Sequence, residues 1–143
     1  MRNILIPPVR RALYPRRVTL ERIRRIAIAD DSPAFVAAAA DYITSLPGYG
    51  LAGTVQAVSQ AVTLVENALP DVLLLGLGLS PGRGLDMVRR VKACPSAPAV
   101  VAMTLFHTPE AAAQATRAGA DALVGKEAFI AGLTDALARL FPA

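Results

Sequence analysis

Apolar residues fall into five short blocks, separated by longer stretches whose apolar positions recur every three or four residues. The blocks are Ile26-Ala27-Ile28-Ala29, Leu51 to Val55, Val72-Leu73-Leu74-Leu75, Pro98 to Met103 and Ala122 to Val124. The third is almost purely aliphatic, runs out of Pro70-Asp71 and ends at Gly76 in a loop rich in Gly and Pro. A strand that is apolar on both faces belongs in the middle of a parallel sheet covered by helices on both sides.

The intervening stretches predict five helices. Ser32 is placed to cap the first, with Pro33 at its first position, Phe35, Val36, Ala39, Ile43 and Leu46 along one stripe, and a stop at Pro47-Gly48. The second runs from Ser59 to Leu69, the third from Gly84 to Lys92, the fourth from Pro109 to about Arg117, and the last carries Phe129, Leu133, Leu137 and Leu140. Gly82-Arg83-Gly84 reads as a flexible turn ahead of the third helix. Strict alternation of five strands with five helices, joined by short loops, predicts an α/β fold: a doubly wound five-stranded parallel sheet with right-handed crossovers.

Composition narrows this picture. At 143 residues the chain is long enough for one domain with a substantial core. Its single cysteine, Cys94, excludes an internal disulfide framework and is expected to be a semi-buried structural residue at a helix end. No run of 18 apolar residues predicts a membrane span, and the N-terminus shows no secretory pattern, so a cytoplasmic location is expected. The net charge of +4 hides a split: residues 1–25 hold eight Arg and one Glu, whereas the remainder carries about −3. Residues 1–23 therefore read as a basic, Pro-containing arm and residues 24–143 as the globular domain. The arm is either an ordinary flexible extension or a phosphate-seeking tail for nucleic acid or an anionic membrane face; it lacks the interleaved aromatics that stack on bases.

Candidate chemistry gathers where parallel strands end, the rim on which such sheets place their sites. Asp30-Asp31 follow the first strand, Gly76 the third, Thr104 the fourth and Lys126 the fifth. Two acids with a nearby hydroxyl and ammonium suit a divalent cation and a phosphoryl group. Nothing resembles a glycine-rich nucleotide loop, and His107, the one histidine, has no acid–base partner in sequence and is expected to be solvated.

Asp30-Asp31-Ser32-Pro33, Pro70-Asp71-Val72-Leu73-Leu74-Leu75, the Pro81…Gly84-Leu85 loop, Val100 to Thr104 and Gly119-Ala120-Asp121…Lys126 occur in an order and spacing that resemble a response-regulator receiver domain of two-component signalling. The resemblance runs from about Arg25 to Phe141 and implies the flavodoxin-like strand order 2-1-3-4-5. By position it makes Asp30 and Asp31 the acid pair that anchors Mg²⁺, with the carbonyl of Gly78 as a further metal ligand. Thr104 resembles the switch hydroxyl and Lys126 the salt-bridging lysine. Gly76 stands where the phosphoacceptor aspartate belongs.

The departures are as informative as the matches. Glycine offers no carboxylate to attack a phosphorus and removes one metal ligand, so no aspartyl phosphorylation is expected at Gly76 and any Mg²⁺ affinity is expected to be weak, with no cofactor required. Neither Ser80 nor Asp86 is placed to substitute. Lys126 is expected to lie between the two acids and neutralise them if no metal binds. Leu123 holds the position where the family usually has a moving aromatic ring, Leu105 replaces a small residue, and Glu127 replaces a proline often preceded by a cis bond. The resemblance implies a pseudo-receiver that is not an enzyme, acts through protein contacts, and lacks the usual input. Its contact face would combine the fourth helix, fifth strand and fifth helix, serving a sensor kinase, an output protein or a second copy of itself as a homodimer. A nucleic-acid-associated regulator, with the arm on DNA and the receiver-like domain dimerising, is the alternative. The last helix ends the chain, so either a stand-alone receiver or the receiver portion of a longer product is expected.

Overall fold

A computed structural model describes residues 22–79 and 81–142. The predicted arm therefore lies almost wholly outside the described residues, as does Ser80. Five strands form one parallel sheet: β1 (Arg24–Ala29), β2 (Tyr49–Val55), β3 (Val72–Gly76), β4 (Ala99–Thr104) and β5 (Ala122–Gly125), in the order β2-β1-β3-β4-β5. The helices are α1 (Pro33–Thr44), α2 (Ala61–Ala68), α3 (Pro81–Lys92), α4 (Pro109–Ala118) and α5 (Phe129–Leu140). Short 3₁₀ turns, Val58–Gln60 and Lys126–Ala128, lead into α2 and α5.

The pleat sorts the strand residues onto two cores. Ala27, Ala29, Leu73, Leu75, Val100 and Ala102 face α2, α3 and α4, meeting Val65, Val88, Val91 and Ala115. Ile26, Ile28, Val72, Leu74, Val101 and Met103 face α1 and α5, meeting Val36, Ile43, Leu133 and Leu137. All five residues of β3 are buried, as a central strand covered on both sides requires. The edge strand β2 is only partly buried, and its register on β1 slips between Ile26 and Ala27.

The rim away from the predicted site is tied by two acids that stand just before strands. Asp71 accepts the Arg25 amide at 2.7 Å and pairs with the Arg22 guanidinium, while its own amide reaches Arg25 O at 2.8 Å. Asp121 does the same one strand pair over: it accepts the Val100 amide at 2.8 Å and the Lys92 ammonium at 2.9 Å. Each carboxylate thus takes a strand amide that would otherwise lack a partner at the start of the ladder. Partial burial works against the Asp71 charge, but the Arg25 amide and the Arg22 guanidinium outweigh it and hold the carboxyl below its ordinary range.

Local boundaries differ from expectation in three places. Gly82-Arg83-Gly84 is not a flexible turn but the first part of α3, which starts at Pro81. Proline suits a first helical turn. Gly84 is required there by close approach, since a Cβ would fall 2.6 Å from Leu77 Cα. The second helix begins with a 3₁₀ turn and stops at Ala68; Leu69 follows in the left-handed region at φ 49, its amide still reaching Val65 O, and Pro70, with no amide to donate, cannot continue the helix. Arg25 then donates to Ala68 O at 2.6 Å, serving one of the helix's last carbonyls. Finally β1 and β2 each start two residues earlier than their apolar blocks, at Arg24 and Tyr49, because ladder pairing does not need an apolar side chain.

Candidate functional site

The β1–β3 ladder ends with Ala29 opposite Leu75, so one more step sets Asp30 beside Gly76. Alternation puts Asp30 on the α1/α5 side of the sheet with Ile26 and Ile28, and Asp31 on the opposite side. The two acids consequently part company. Asp30 is 2% exposed; Asp31 is exposed and accepts the Val58 amide at 2.8 Å, capping the 3₁₀ turn ahead of α2.

Asp30 fills the room that Gly76 leaves. A Cβ on Gly76 would fall into the Asp30 carboxylate, with Asp30 Cγ 2.7 Å away. One oxygen, Oδ1, accepts the Ser32 amide at 2.9 Å. The other, Oδ2, lies 2.8 Å from Lys126 Nζ, with side-chain exposures of 3% and 14% for the acid and the lysine. No donor is aligned on Oδ2 for a hydrogen bond, so the contact is that of a close ion pair. The ammonium also stands 4.4 Å from the centre of the Phe35 ring. Phe35 is held edge-on by Phe129 at 5.1 Å, which fixes the ring under the lysine. Ser32 caps α1 as expected, accepting the Phe35 amide at 3.3 Å.

Thr104 is buried at the end of β4, and its Oγ1 accepts the Phe106 amide at 3.2 Å. The hydroxyl thus closes its own loop. Leu123 packs, half-buried, on the α2–α4 side of the sheet, across from the Asp30–Lys126 pair. Gly78 takes φ 75, a left-handed turn that carries the chain out of β3 towards α3. Lys126–Glu127 is not cis, as no described peptide bond is. His107 is exposed, and Cys94, half-buried, directs its thiol at Arg90 O at 3.5 Å.

This donor set does not fit a divalent cation. Asp30 spends one oxygen on an amide and the other on an ammonium, Asp31 is turned to Val58, and no three metal-ligating side chains converge among the described residues. Lys126 does not sit between the two acids as expected: it pairs with Asp30 alone, because alternation at the strand end sends Asp31 the other way. Phe35 is a member of the site that sequence reasoning placed only in the helical core stripe. Its signal was positional: it lies in the first turn of the helix that starts directly behind the acids.

Above these residues opens a cleft of about 940 Å³, bounded by Asp30, Val58, Leu79, Arg83, Arg90 and Lys126 among others. A smaller apolar groove of about 130 Å³ adjoins it beneath Leu105 and Phe106.

Comparison with known proteins agrees with this fold. The model of the response regulator receiver domain matches residues 26–138. A curated relative, protein-glutamate methylesterase/protein-glutamine glutaminase 2 of Rhodospirillum rubrum, is 30% identical over 103 residues, covering 71% of this chain and 28% of the relative. The chain thus spans little more than a quarter of that protein. Among solved structures, a LuxR-family two-component response regulator from Aurantimonas sp. superposes with a TM-score of 0.74 at 26% identity, covering 83% of this chain and 85% of that one. The signal receiver domain of the putative response regulator NarL from Mycobacterium tuberculosis gives 0.74 at 20% identity, covering 83% and 96%, and supports the fold. No described helix is long and apolar enough to cross a membrane. With the parallel order β2-β1-β3-β4-β5 and a family match over most of its length, the chain belongs to the receiver domains of two-component response regulators.

Proposed function

We propose that this receiver works without aspartyl phosphorylation, as a pseudo-receiver that holds one conformation and signals through protein contacts. The observation that carries the reading is the Asp30 carboxylate lodged where a side chain on Gly76 would stand, and paired there with Lys126. The position offers no nucleophile, and a side chain placed there would meet the Asp30 carboxylate. Thr104, the residue that would follow a phosphoryl group, is bonded to the Phe106 amide instead. Mg²⁺ has no converging carboxylates to bind, so its affinity should be weak and no cofactor is needed.

The partner face is the one formed by α4, β5 and α5, where Ala113, Ala131 and Ile130 are exposed. A sensor kinase, an output protein or a second copy of the chain would dock there. Incubation of the full chain with acetyl phosphate and Mg²⁺, followed by native mass spectrometry, should give no phosphoryl adduct. A stoichiometric adduct that hydroxylamine removes would overturn the reading.

A further inference from the structure

Two loops on the site's rim leave large apolar side chains in the open. Of the seven such side chains exposed among the described residues, three stand there: Leu79 after β3, and Leu105 and Phe106 after β4, at 84%, 45% and 75% exposure. Apolar residues scattered singly over a surface need no explanation, but these three border one groove of about 130 Å³, shared with Leu77, Leu85 and, from α4, Ala111. Among the described residues the groove has no charged side chain in its lining. The loop that carries the ring is held at both ends. Thr104 Oγ1 accepts the Phe106 amide at 3.2 Å, and Thr108, the cap of α4, accepts the Ala111 amide at 3.0 Å. The ring is thus presented on a fixed backbone and has little freedom to lose on docking.

We propose that the chain pairs with a second copy of itself through this groove, the Phe106 ring of each copy entering the groove of the other between Leu79 and Ala111. An apolar cavity of about 150 Å³ holds one benzene ring, so the groove has room for about one phenyl group. A knob and a hole of matching size therefore lie side by side on one face. An isologous pair requires that arrangement, because a two-fold axis seats each knob in the other copy's hole. Two identical surfaces also bring identical charges together, at a cost that an uncharged lining avoids. The groove lies between α3 and the start of α4, whereas the proposed function puts its partner on α4, β5 and α5. The inference goes beyond that reading, and each can fail without the other.

Sedimentation equilibrium of the full chain should show monomer and dimer with a Kd of about 100 μM or below. Phe106→Ser removes the knob and Ala111→Phe fills the hole; each should weaken pairing about thirtyfold, the loss expected of a central aromatic anchor. The two variants mixed should pair more tightly than either alone, since the Phe106 ring of the Ala111→Phe variant meets the open groove of the Phe106→Ser variant. Ile130→Ser, on the exposed side of α5, should leave the Kd within about twofold. Urea midpoints report whether each variant is folded. Raising salt from about 0.05 to 0.5 M should change the Kd less than about threefold, whereas pairing through the arginine-rich residues 1–25 would weaken steeply. The proposal is overturned by a chain that stays monomeric up to about 1 mM, by a dimer that Ile130→Ser weakens and Phe106→Ser does not, by a dimer that salt dissociates, or by a mixture that pairs no more tightly than its components.

Discussion

Asp30 and Gly76 share one volume: the carboxylate of the first occupies the space that a side chain on the second would require. The ladder sets the two residues side by side, and the pleat points them to the same face. Gly76→Ala should therefore expel Asp30 from its pairing with Lys126 and destabilise the domain by about 1–3 kcal/mol. Urea denaturation measures the loss. In an Asp30→Ala background the same substitution should cost about 1 kcal/mol less, since the obstruction is gone. Equal costs in the two backgrounds would show that the residues do not compete for space.

Lys126→Met leaves the Asp30 carboxylate buried without its cation and should cost about 3–5 kcal/mol. Replacing both residues, as Asp30→Leu with Lys126→Met, should recover most of that loss, because no charge is then left stranded. A double variant no more stable than Lys126→Met alone would place the loss in packing against Phe35.

Acid stability should depend on Asp71. Its folded-state pKa lies below the unfolded value, so its contribution is complete above the unfolded pKa and is lost as pH falls through the folded one. In urea midpoints measured against pH, the wild type should fall away below about pH 4, and Asp71→Asn should be weaker at neutral pH with a flatter acid limb. Parallel curves for the two proteins would remove Asp71 from the account.

Thr104→Val removes the acceptor of the Phe106 amide. The expected cost is about 0.5–1.5 kcal/mol, with faster hydrogen exchange at Phe106. Exchange unchanged from wild type would mean that the Thr104 hydroxyl does not hold the loop.

Much of this was legible in the sequence because burial on both faces writes strands as aliphatic runs, and Val72 to Leu75 left no alternative. The start of α3 was misread because two glycines look like a loop; what Gly84 answers to is Leu77, a contact that no local pattern records. Asp30 and Asp31 were read as a pair because they are adjacent, yet adjacency at a strand end is what separates side chains onto opposite faces. The Lys126 contact with Asp30 joins the ends of two strands with β3 and β4 between them, and only the assembled rim brings the pair together.

The carboxylates of Asp71 and Asp121 bind the strand starts on the far side of the sheet and touch nothing at the cleft. A receiver built this way has its foundations at one end and its instrument at the other. Under the proposed function, the strand-end rim would change its residues without disturbing the joints that define the fold. That separation would let the scaffold persist whatever chemistry its rim carries.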